Sequence, residues 1–117
     1  MTDISKSVEA GGYIFLAGME GATQNTPDDV LQQVEIAVNK VHDTLKASGL
    51  GIGAMVKHKI YIRKGEDVGA VLRKFHEVAT RLAPELKTKP SAGTVVVVED
   101  LVGLPLKVEI SAIAART

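Results

Sequence analysis

An α+β fold of order β-β-α-β-α-β-β, with two helices on one face of a single sheet, is what this sequence predicts. Three observations carry it. Thr94-Val95-Val96-Val97-Val98 is apolar and β-branched at consecutive positions, the pattern of a strand buried on both faces. In the closing stretch, Val108, Ile110, Ala112 and Ala114 point one way and Lys107, Glu109 and Ser111 the other, so one carboxylate stands in the middle of an otherwise apolar strand. Two further stretches, 30–45 and 68–82, repeat apolar residues at helical spacing between strand-like runs.

Taken in order, residues 4–8 suit a short edge strand, and Ala10-Gly11-Gly12 is a turn signal. Tyr13-Ile14-Phe15-Leu16-Ala17 reads as a strand with apolar residues on both faces, and residues 18–25 as a loop of small and polar residues. Thr26-Pro27-Asp28-Asp29 predicts a helix start, with Thr26 as cap, Pro27 at the first helical position and two acids at the positive end. Val30, Val34, Ala37, Val38, Val41 and Leu45 form one stripe, and Gly49 is a natural stop.

The run Gly49-Leu50-Gly51-Ile52-Gly53 lacks the Lys-Ser/Thr of a phosphate loop and precedes a strand instead of following one, so it reads as a flexible connection. Residues 55–63 make a strand with Val56, His58, Ile60 and Ile62 on one face and Lys57, Lys59, Tyr61 and Arg63 on the other. Gly65-Glu66-Asp67 leads into a second helix striped by Val68, Val71, Leu72, Phe75, Val78, Ala79 and Leu82, which Pro84 ends. Residues 85–93 form a polar loop, and a turn at Glu99-Asp100 and Gly103-Leu104-Pro105 joins the last two strands.

The bulk properties exclude several classes. At 117 residues the chain has the length of one domain, 1–117. Lys+Arg and Asp+Glu both number 14, which leaves no net field for nucleic acid or anionic lipid. Two Tyr and two Phe are too few for a base-stacking platform. With no Cys, thiol catalysis and thiolate metal sites are out. No apolar run approaches a membrane span, so a cytoplasmic protein with no membrane partner is expected. His42, His58 and His76 lie in different elements without metal-ligand spacing and read as structural, with no metal or cofactor expected; no serine sits in a nucleophile elbow.

Two helices cover only one sheet face, yet two strands carry apolar residues on both. Burying a Val side chain contributes about 1.5–3 kcal/mol, so self-association into a homo-oligomer is expected. On residue type alone, Glu109 is either an exposed strand residue paired with Lys107 or a neighbouring strand, or a desolvated general acid/base in a cleft between subunits.

The chain resembles the Rid (YjgF/RidA) family of reactive-intermediate deaminases, also described as endoribonuclease L-PSP-type. The carriers are Gly12-Tyr-Ile-Phe-Leu-Ala-Gly18; Gln33, Leu45 and Gly49; Val56-Lys57; and the ending Val108-Glu109-Ile110-Ser111-Ala112-Ile113-Ala114. The resemblance implies a chorismate-mutase-like fold, a homotrimer packed around a central β-barrel, and a small-molecule ligand bound between subunits. It implies hydrolysis of enamines and imines, with Glu109 handling the attacking water and an Arg gripping the substrate carboxylate.

The sequence departs from that pattern. Ala92 stands at the Arg position, Ala17 at the Ser, Leu72 at the Asn and Thr94 at a frequent Cys. By the resemblance Ala17 and Thr94 are expected to line the substrate site, Thr94 through its backbone, and Lys87 or Lys89 to replace the lost charge. A non-catalytic metabolite-binding module is the alternative, and a ribonuclease, against which the neutral charge argues, the third.

Overall fold

The computed structural model describes residues 4–103 and 105–116. Six strands form one sheet: β1 (Ser7–Ala10), β2 (Tyr13–Leu16), β3 (Met19–Glu20), β4 (Met55–Arg63), β5 (Ala92–Val98) and β6 (Val108–Ala115). Helices α1 (Val30–Lys46) and α2 (Val68–Leu82) complete the fold. The sheet order is β1-β2-β6-β4-β5, with β3 paired to β6 beyond the end of β2. Only β4 and β5 run parallel, as the crossover through α2 requires.

β6 is the centre of the sheet, paired to β2, β3 and β4. Its alternation holds as expected: Val108, Ile110, Ala112 and Ala114 are buried toward the helices, with Ile60 and Ile62 of β4 beside them. Val34, Val38, Val41 and Leu45 of α1 and Val71, Phe75 and Val78 of α2 close that core. The other sheet face, which carries Glu109, has no helix over it.

Several expectations are corrected. β1 starts and ends later than 4–8, because Gly11 (φ 60°) and Gly12 (φ 82°) supply the two left-handed residues of a tight hairpin loop, and pairing then runs up to Ala10 opposite Tyr13. The stretch 18–25 is not all loop: Met19 and Glu20 pair with Ile110 and Glu109. α1 begins three residues beyond Pro27, with Asp29 as its cap accepting from the Leu31 amide at 3.0 Å. The Thr26 hydroxyl is engaged in the preceding turn, accepting from the Thr23 amide and donating to the Thr23 carbonyl.

Gly49 (φ 83°) does close the turn after α1. The glycine run beyond it is ordered as a short 3-10 turn, Ile52–Ala54, whose first amide donates to His42 Nδ1 at 3.1 Å. A register shift between Met55 and Lys57 turns Val56 out of the core face, and Met55 is buried in its place. The polar loop after α2 also holds a 3-10 turn, Pro84–Lys87, anchored by buried Leu86.

β5 differs most from expectation. It is the edge strand, so within one chain it is not buried on both faces: Val95 is 39% and Val97 54% exposed. Among the expected turn residues before β6, Leu104 lies outside the described residues.

One polar residue sits wholly inside. Gln33 on α1 donates through Nε2 to the Pro27 and Pro105 carbonyls at 2.8 and 2.9 Å, and its Oε1 accepts from the Lys107 amide at 2.8 Å. These bonds fix the entry into β6, and hence the height at which Glu109 stands.

Candidate functional site

Glu109 projects from the centre of β6 onto the open face, between Glu20 of β3 and Tyr61 of β4, its register partners on either side. It is partly buried, and among the described residues it has no hydrogen bond or ion pair. Lys107, the neighbour that could have neutralised it, turns instead to Asp28 and Glu66. The backbone of Gly18 passes directly over the carboxylate, and a Cβ there would overlap it. Glycine is therefore the residue that lets a carboxylate fit under the bend between β2 and β3.

The electrostatics follow from that placement. Burial raises the Glu109 carboxyl above its ordinary value, and the like charge of Glu20 raises it further. A carboxyl whose proton affinity is raised in this way is better suited to accept and return a proton than an ordinary surface carboxylate.

The other expected residues are dispersed. Ala17 stands at the same bend, its amide donating to the Lys6 carbonyl at 2.9 Å. With Lys6, Gly18, Glu20, Lys40 and Asp43 it lines a cavity of about 430 Å³. Thr94 on β5 shares the open face with Glu109, but β4 lies between them, two strand spacings or roughly 10 Å away. Lys87 and Lys89 are exposed at the other end of the sheet. Lys89 lines a cavity with Met55 and Val56, six residues along β4 from the Tyr61 beside Glu109, or roughly 20 Å. One chain therefore brings Ala17 to Glu109, leaves Thr94 across a strand, and keeps both lysines away.

Two histidines make side-chain contacts inside the fold, and His76 is exposed on α2. His42 accepts from Ile52, and the His58 ring packs on Phe75 with centroids 4.6 Å apart while Nδ1 meets the Ser91 hydroxyl. Among the described residues no group of three or more His, Asp or Glu side chains is arranged to hold a metal ion.

Sequence reasoning missed Glu20 and Gly18. The signal for them was slight: a Met-Glu pair between two glycines, with nothing to reveal a two-residue strand.

Fold and site together describe a small α+β protein whose open sheet face carries two facing carboxylates, Glu109 and Glu20, neither of them in an ion pair among the described residues. Residues 1–116 match the model of the family described as Endoribonuclease L-PSP, and the chain belongs to that family. Solved structures agree. The YjgF gene product of E. coli is 25% identical, with a TM-score of 0.86 over 98% of this chain and 89% of that one. E. coli TdcF with bound serine is 25% identical, with a TM-score of 0.81 over 100% and 91%. Rv2704 of Mycobacterium tuberculosis, of the YjgF/YER057c/UK114 family, is 25% identical with a TM-score of 0.75 over 96% and 86%. No curated protein matches the chain. No helix among the described residues is long and apolar enough to cross a membrane.

Proposed function

We propose that the protein hydrolyses a reactive imine or enamine to the carbonyl compound and ammonia, in a cleft between subunits of a homotrimer. The observation that carries this reading is Glu109: a partly buried carboxylate with no partner among the described residues, its proton affinity raised by burial and then by Glu20. In the ionised form it takes a proton from water as the water oxygen bonds to the imine carbon. It passes that proton to nitrogen, giving a carbinolamine; it then carries the hydroxyl proton to the same nitrogen as the carbonyl forms and the carbon–nitrogen bond breaks, so both water protons leave with ammonia.

The assembly is supported by the open sheet face. Tyr13 and Phe15 are 47% and 44% exposed there, with Ile113 beside Phe15, an apolar area that a monomer would leave wet. A neighbouring copy over that face would wall off Glu109 and strengthen the desolvation on which its chemistry depends. Ala17 and Thr94 line the cleft in this reading; Lys87 and Lys89 enter it only from a neighbouring copy. The serine held by TdcF supports a ligand of amino-acid size.

The test is ammonia release from freshly generated imines, one with and one without a carboxylate beside the imine carbon. Release above the uncatalysed rate supports the reading. A folded protein that releases none from either would make it a metabolite-binding module instead.

A further inference from the structure

Lys57 and Lys59 stand two residues apart on the open face of β4, and both are partly buried within the single chain. Neither forms an ion pair among the described residues. Lys57 Nζ donates to the Thr94 hydroxyl at 2.5 Å, a neutral partner that leaves its charge uncompensated. Lys59 Nζ lies 5.9 Å from the Tyr61 ring centroid, at the outer limit of useful cation–π attraction. Two partly buried cations side by side, with no anion among the described residues, repel one another, and an anionic ligand would relieve that repulsion. Their field is felt locally: burial first, and then the charge of Lys57, hold the His58 imidazole below its ordinary range.

The two ammonium groups border a space. A cavity of about 260 Å³ on the same face is lined by Phe15, Lys57, Lys59, Ser111 and Ile113. Ser111 is the register partner of Lys59, while Ile113 and Ala92 flank Lys57. Ala92 is small, so no bulky side chain from β5 fills the space beside Lys57. One wall is apolar, from Phe15 and Ile113; Lys57, Lys59 and the Ser111 hydroxyl form the other, and the Thr94 hydroxyl lies outside it against Lys57 Nζ. That chemistry suits a compact oxyanion on a short apolar body.

We propose that Lys57 and Lys59, with the Thr94 and Ser111 hydroxyls, bind the carboxylate of a small 2-oxo or 2-imino acid. The ligand class rests on the imine reading above. Glu109 is the diagonal neighbour of Lys59 across β6 and β4, roughly 7–8 Å between backbones, within the span of such a molecule. A carboxylate seated on the lysines turns its 2-carbon toward Glu109. Lysines are point charges, so the hydroxyls must set the orientation that a guanidinium fork would otherwise impose.

The test is isothermal titration of the intact protein with pyruvate and with its neutral methyl ester. Pyruvate binds the wild type more tightly than the ester does, and its affinity falls with added salt. Lys57→Met and Lys59→Met each weaken pyruvate about 10- to 100-fold, the loss of one charge-assisted contact, and leave the ester unchanged. Lys59→Arg retains most of the affinity, which separates charge from packing. Failure of pyruvate to bind the wild type, or wild-type affinity for pyruvate in both Met variants, overturns the proposal. The titration needs no turnover, so loss of the subsite and loss of the deaminase reading give different results.

Discussion

Glu20 and Glu109 are register partners across β3 and β6, two carboxylates facing each other on one sheet face. Like charges directly opposite are unfavourable, and here the charge of Glu20 adds to burial in raising the proton affinity of Glu109. Glu20→Gln removes the smaller of the two causes. The acid limb of the pH–rate profile for imine hydrolysis should move to lower pH, incompletely, because burial remains. An unmoved limb would mean that the charge of Glu20 does not reach Glu109.

Stability should carry the same signature. The folded Glu109 carboxyl titrates above its ordinary value of 4.5, so between the two values the folded state binds more protons than the unfolded one. Its contribution to stability is thus favourable in acid and is lost as pH rises through the folded value. Glu109→Gln removes that loss: the variant should equal or exceed the wild type in thermal stability at pH 7, and the advantage should vanish below pH 4.5. A less stable variant at pH 7 would assign Glu109 a structural role.

Gly18→Ala places a methyl where the Glu109 carboxylate now lies. The clash is with the end of a flexible side chain, so stability should change by less than about 1 kcal/mol. The carboxylate is displaced, however, and a misplacement of about 1 Å can cost roughly 100-fold in rate. Turnover and melting temperature measured on the same preparation would separate the two effects.

Much of this was legible in the sequence, and for physical reasons. The alternation from Val108 to Ala114 placed Glu109 on the face away from the helices, because a strand leaves no other choice once one face is buried. The same argument put Lys57 and Lys59 on one face of β4. Which strand lies beside them could not be read, since register with β5 and β6 is set by long-range pairing. The two-residue strand carrying Glu20 is too short to show a period, and the bulge at Val56 inverts an alternation that otherwise looked regular. The apolar run in β5 read as doubly buried, which it is not within one chain, because neither helix reaches the sheet edge.

Gln33→Ala tests the joint that sets the height of β6. Its side chain serves three backbone groups, and the truncation leaves the Lys107 amide and two carbonyls without that partner. A loss of about 1–3 kcal/mol is expected from the chemical-denaturation midpoint. A loss well below that would show that water replaces the amide freely.

Phe15→Arg tests the assembly. Phe15 projects from β2 onto the open face, 44% exposed in the single chain. If the proposed homotrimer forms over this face, a charge there should lower the molar mass measured by light scattering from that of three chains to that of one, with helix content retained; an unchanged mass would place the interface elsewhere.

The most direct measurement is single-turnover hydrolysis of a freshly generated imine by the wild type and Glu109→Gln. A positioned general acid/base contributes about 10²- to 10⁴-fold, and the variant should lose that much in rate while keeping its fold and its mass. Wild-type turnover that survives the substitution intact would contradict the account, whatever else the cleft binds.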